Sequence, residues 1–159
     1  MLFVEHAHDL AKIIAEESNA LSEDPYLVTS MSFHESSFKP GDKAVGKIGE
    51  RGLMQVHGEA LMRCTEYVKG RGIRPETPRA EIACGVYTLS QSRAACGYLV
   101  ADEARCAATL EGCGGALARY LAGDCSAQPK GARARGVRVR LKLRNELASQ
   151  GNPTILAVR

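Results

Sequence analysis

Apolar residues recur along most of this chain at helical spacing, and the pattern predicts seven helices. In Met1–Ala20, residues Phe3, Val4, Ala7, Leu10, Ala11 and Ile14 fall on one helical face. Asp24-Pro25 joins a capping side chain to a first-turn proline, which predicts a helix from Pro25 to about Ser36. Residues 39–52 hold four glycines and a proline and read as a long loop. A helix from about Glu59 to Val68 follows, then a turn over Gly70 to Pro75. Thr77-Pro78 repeats the cap-and-proline signature and opens the longest predicted helix, to about Ala95. Shorter helices at about 102–111 and 115–122 are divided by Gly112-Cys113-Gly114. The last segment, Val137 to Leu147, alternates apolar and basic residues with a period of two, the mark of a strand. Val139, Leu143 and Leu147 in the same segment also stack at helical spacing. A lone strand would have no partner, so a helix is expected here and the fold class is all-α.

Composition narrows the function classes. The 159 residues are 45% hydrophobic and 25% charged, which excludes general disorder and fibrous repeats, and residues 1–159 fit a single domain. No stretch approaches the roughly 20 apolar residues that span a bilayer, so no transmembrane segment is expected. A formal net charge of +3 gives no case for a nucleic-acid partner. The basic tail (Arg133, Arg135, Arg138, Arg140, Lys142, Arg144) has no interleaved aromatic residues. It reads as a solvated helix face, or as a surface drawn to an anionic bacterial envelope. Six cysteines with no Cys-x-x-Cys spacing disfavour a zinc ribbon or thioredoxin-type centre and point to disulfides formed in an oxidising, extracytoplasmic place. Met1–Ala20 lacks the basic start, apolar run and cleavage site of a secretory signal. Export is therefore expected through a trimmed precursor, or through a phage lysis or virion protein.

The chemistry centres on Glu35. Val28, Met31, Ser32 and Glu35 lie at i, i+3, i+4 and i+7, so the face that should bury ends in a carboxylate. Burial disfavours the charged form, which suits a general acid; the alternative is a helix-end glutamate turned to solvent. Two other motifs fail. Gly41–Lys47 fits a phosphate-binding loop except that Ile48 stands where Ser or Thr must hold magnesium. His34-Glu35-x-x-Phe38 starts like a zinc-protease motif, but Phe38 replaces the second ligand, and His6 and His8 point apart on a helix. No metal and no cofactor is implied.

Glu35-Ser36-Ser37-Phe38, a glycine-rich loop, and then Gly52-Leu53-Met54-Gln55 together resemble the signature of the lytic transglycosylase SLT domain and goose-type lysozymes. Ile82-Ala83-Cys84-Gly85-Val86-Tyr87 is similar to the family's long-helix motif. Ala116-Leu117-Ala118-Arg119-Tyr120-Leu121-Ala122-Gly123 is similar to its Ala-Leu-x-x-Tyr-Asn-x-Gly segment, with Leu121 in the asparagine position. The resemblance covers about residues 20 to 148. It implies a compact, monomeric, lysozyme-like domain that grips peptidoglycan glycan strands. Glu35 would serve as catalytic acid and then base, giving a 1,6-anhydromuramoyl product without a second carboxylate.

Ser36, Glu50, Met54, Gln55 and Tyr120 are the candidate substrate-binding residues. Gln55 has the alternative of tying its loop, Tyr120 of packing in the core, and Glu50 of being solvated. Asp42 and Glu50 are the candidates for a second carboxylate. Goose-type lysozymes usually carry an acid directly after Gly-Leu-Met-Gln-Val, where this chain has His57; hydrolysis of the same bond is therefore the alternative activity. A non-catalytic peptidoglycan-binding or virion module is a further alternative. Cys113 and Cys125 bracket the helix bearing Tyr120 and are expected to clamp it beside the groove, with other pairs among Cys64, Cys84, Cys96 and Cys106.

Overall fold

Capping chemistry sets where the principal helices begin. In the computed structural model of the chain, which describes residues 2–39, 50, 52–126 and 131–151 (side chains from residue 6), the Asp24 carboxylate accepts a hydrogen bond from the Tyr26 N–H at 2.9 Å and Pro25 opens the next helix. Thr77 Oγ1 accepts from the Ala80 N–H at 3.2 Å ahead of Pro78. Each cap satisfies an N–H group that the first helical turn leaves without an internal partner. The described residues form α1 (Leu2–Ala20), α2 (Pro25–Ser36), α3 (Gly58–Gly70), α4 (Pro78–Cys96), α5 (Glu103–Thr109), α6 (Ala116–Ala122) and α7 (Ala132–Gln150), with no strand among them. No helix among them is long and apolar enough to cross a membrane. The fold is all-α, as its periodicity predicts.

One hydrophobic core joins the helices. Leu27, Val28 and Met31 of α2 meet Ile82, Val86 and Leu89 of α4, Leu117 of α6, and Val137 and Leu141 of α7, all buried. Truncating any of the larger ones to alanine costs about 2–5 kcal/mol. α4 is the central element, packed on α1, α3 and α6, while α2 lies along α7. α1 docks through its C-terminal half: Ile14, Ala15 and Glu17 are buried, whereas Ala7, expected on the apolar face, is exposed.

Two expectations are corrected. The final segment is a helix, but Val139 is 41% exposed; the buried side is Ala134, Val137, Arg140 and Leu141. These lie at i, i+3, i+6 and i+7, so the docking face is turned away from Val139 and carries an arginine with it. Cys113 and Cys125 are not bonded to each other. The disulfides are Cys64–Cys84, Cys96–Cys125 and Cys106–Cys113, with Cα separations of 4.8, 5.6 and 4.8 Å. The seven residues of α6 rise about 10 Å from end to end, while bridged Cα atoms lie only about 4.4–6.8 Å apart, so cysteines flanking that helix bond to other elements. Cys125 reaches back to the end of α4, and Cys113 closes on α5. Each bridge contributes roughly 2–4 kcal/mol, and three bridges suit an oxidising compartment outside the cytoplasm.

Candidate functional site

The end of α2 is shaped by two consecutive left-handed residues. Ser37 (φ 51°) closes the helix by donating its N–H to the Phe33 carbonyl at 2.8 Å, and Phe38 (φ 60°) follows. The chain therefore turns away sharply after Glu35 and Ser36. Ser36 Oγ lies 3.0 Å from both the Ser32 and Leu53 carbonyls, which joins α2 to the 52–55 turn. That turn explains the spacing of Gly-Leu-Met-Gln. Gly52 has φ +76°, and a Cβ there would lie 2.8 Å from the Glu81 side chain. Glu81 in turn accepts the Leu53 N–H at 3.0 Å. Met54 fills a notch at Gly85 of α4, where any Cβ would lie 2.3 Å from the methionine side chain. The Met54 carbonyl accepts the Tyr120 phenol at 2.7 Å. The 52–55 turn is thus pinned from α2, α4 and α6.

Within this frame the Glu35 side chain is 15% exposed, and its Oε1 accepts from Arg140 Nη2 at 2.7 Å. The C-terminal end of a helix carries partial negative charge, so an anion there needs a nearby cation, which Arg140 supplies. Arg140 is itself held: Nη1 donates to the Gly136 carbonyl at 2.9 Å, and Ser30 Oγ donates to the Arg140 carbonyl at 2.8 Å. Its Nε is buried with no hydrogen-bond partner among the described residues. Burial, and then the negative charge of Glu35, push the Tyr120 phenol well above its ordinary value, with Arg140 pulling the other way. Tyr120 therefore remains a neutral donor. The His34 imidazole is lowered by burial and by the charge of Arg140, against a hydrogen bond with the Val139 backbone. Phe33 and Phe38 are 45% and 36% exposed, with ring centroids 5.8 Å apart and ring planes tilted by 51°.

A cavity of about 490 Å³ opens between α3, α4 and α6. Tyr87 of α4, stacked on Tyr67 at 4.4 Å, walls it beside His57 and Gln91. Tyr120 belongs to both places: it walls this cavity and lies within electrostatic reach of Glu35 and Arg140.

The predicted site residues therefore divide. Glu35 and Tyr120 come together, and Gln55 lines the cavity while its Nε2 donates to the Gly52 carbonyl at 2.8 Å. Met54, expected in the groove, is 1% exposed and packs in the core, with Ser32 Oγ 2.9 Å from its Sδ. It cannot touch a substrate because Gly85 receives it; only its carbonyl serves the site. Ser36, also expected at the substrate, is buried and bonded between α2 and the turn. Glu50 is half-buried and does not wall the cavity. Asp42 and the whole Gly41–Lys47 motif lie outside the described residues. Among the described residues no three His, Cys, Asp or Glu side chains gather as a metal site.

Sequence reasoning missed Arg140, which it placed on a solvated face. The available signal was its position three residues after Val137 and directly before Leu141. It also missed Arg63 and Arg119, which wall the cavity from α3 and α6. No family model, no curated protein and no solved structure matches the chain.

Proposed function

We propose that the protein cleaves the β-1,4 bond between N-acetylmuramic acid and N-acetylglucosamine in peptidoglycan as a lytic transglycosylase, acting outside the cytoplasm as a monomer. One observation carries this reading: Glu35 is largely buried at a helix end, yet only Oε1 is bonded among the described residues, which leaves Oε2 for a reacting group. Glu35, protonated on Oε2, gives its proton to the glycosidic oxygen as the C1–O bond breaks and the N-acetylglucosamine side leaves as an alcohol. The resulting carboxylate takes the proton from the muramoyl C6 hydroxyl, whose oxygen closes on C1 to give the 1,6-anhydro ring. The proton returns to Glu35, and no water is consumed. Arg140 holds the carboxylate in place, and Tyr120 fixes the Met54 carbonyl.

Digestion of purified sacculi followed by mass spectrometry tests this. Muropeptides with 1,6-anhydro ends are expected; reducing ends would show the hydrolytic, goose-type alternative, with water in place of the C6 hydroxyl. The Glu35–Arg140 pair favours a second reading, a peptidoglycan-binding module in which Glu35 is structural. Sacculus clearing that survives Glu35→Gln would remove the catalytic role.

A further inference from the structure

The chain contains five buried or half-buried arginines among the described residues, and four hold a carboxylate. Arg79 holds Glu16 and Glu17, Arg93 holds Glu23, Arg140 holds Glu35, and Arg144 holds Asp24. The fifth, Arg119 on α6, walls the α3/α4/α6 cavity, and its guanidinium has no carboxylate among the described residues. Arg63 enters the same cavity from α3. Its one ion pair among the described residues is with Glu59 at 3.5 Å on the same helix, with side chains 59% and 81% exposed. Such a pair is worth little and is readily exchanged.

We infer that this cavity is a subsite for a carboxylate-bearing saccharide, with Arg119 as the principal anion ligand and Arg63 as a second. Glu59 lines the cavity too, as the partner of Arg63, so Arg119 is the cation there that no carboxylate among the described residues holds; Gln55, Gln91 and Thr88 offer amide and hydroxyl groups to a sugar, and Tyr87 an aromatic ring. A guanidinium binds a carboxylate through two parallel N–H donors, and such charge-assisted bonds are about twice as strong as neutral ones. In a glycan strand the carboxylate has two sources, the lactyl ether of N-acetylmuramic acid or the end of its peptide stem. N-acetylglucosamine has neither. The identity of the saccharide rests on the function proposed above; the preference for an anion rests on the cavity itself. Because Tyr120 walls the cavity and also neighbours Glu35, an anion held here orients the strand relative to the catalytic carboxylate.

The experiment titrates the disulfide-bonded protein with N-acetylmuramic acid, N-acetylmuramoyl dipeptide and N-acetylglucosamine, following amide chemical shifts. At least one of the two anionic ligands is expected to bind about tenfold tighter than the neutral sugar, with the advantage shrinking as salt rises. The stronger of the two identifies the lactyl or the stem carboxylate as the source. Arg119→Met is expected to abolish the preference and Arg119→Lys to restore part of it. Equal binding of charged and neutral sugars in the unmodified protein overturns the inference, as does a preference that survives Arg119→Met. Charge-selective binding with no cleavage of sacculi overturns the proposed activity and leaves this subsite standing. Cleavage without charge preference does the reverse.

Discussion

Glu17 and Glu23 are buried and Glu35 is partly buried, each with an arginine partner, and the three are held in two different ways. Glu17, 1% exposed, has both oxygens occupied: Arg79 donates to Oε1 at 2.6 Å and Arg71 to Oε2. Glu23, 2% exposed, is gripped on both oxygens by Arg93 at 3.1 and 2.6 Å. Among the described residues Glu35 is bonded on one oxygen only, and the buried Nε of its arginine has no partner. Fully occupied carboxylates fasten α1 and the α1–α2 turn to α4 and the α3–α4 turn. The half-occupied one lies within electrostatic reach of Tyr120. An ion pair with no spare valence serves stability; one with a spare oxygen can take part in chemistry.

The largest expected effect tests that contrast directly. Under the proposed mechanism, Glu35→Gln removes the general acid and base and should lower turnover on sacculi by about 10²–10⁴-fold. Its melting temperature should also fall, because Arg140, 7% exposed, loses the one carboxylate it holds among the described residues, so turnover is read well below that temperature. Glu23→Gln should lower stability alone. Leaving Arg93 without a counter-charge costs toward the lower end of about 3–5 kcal/mol, as that arginine is partly exposed, and turnover measured well below the melting temperature should be retained. If both variants lose stability and neither loses turnover, the two kinds of site are one kind. Removing the bridge between two cavity walls with Cys64→Ala and Cys84→Ala should cost about 2–4 kcal/mol in denaturant unfolding.

Smaller effects come from pH. The Tyr120 phenol is raised in the folded protein, so from about pH 10 upward the unfolded chain loses this proton first and stability falls as pH rises. Tyr120→Phe should remove that alkaline decline and cost about 1 kcal/mol at neutral pH for the lost bond to Met54. The His34 imidazole is lowered, so below about pH 6.5 the unfolded chain takes up the proton first and stability declines with acidification. His34→Gln should flatten this shallow acid slope in a pH series of thermal melts, the smallest change of the set.

Local chemistry was easiest to read. Asp24-Pro25 and Thr77-Pro78 start helices because capping is decided within four residues, and the long α4 follows from its periodicity. Gly-Leu-Met-Gln was recognised as a unit, but its division of labour was not. Whether Met54 faces a groove or the core depends on Gly85, 31 positions away, and no local pattern carries that information. Arg140 shows the same limit. Alternating basic residues look uniformly solvated until the docking face of α7 is known, and that face is set by α2. Pairing among six cysteines is likewise a matter of tertiary distance. The bracket around α6 was a sequence neighbourhood, whereas the bond goes to the end of α4.

The connectivity of the bridges also decides how the molecule would respond to being cut. A protease that nicks between Cys64 and Cys84, or between Cys96 and Cys125, leaves one covalent molecule, and the Cys106–Cys113 loop is nested inside the second of these. α2 and α7, which bring Glu35 to Arg140, lie outside every such loop. A single cut between Ser36 and Cys64 or after Cys125 would release one of these helices as soon as its packing yielded. The cavity walls on α3, α4 and α6 are therefore tied together covalently, while the carboxylate and its arginine are retained only by their fit.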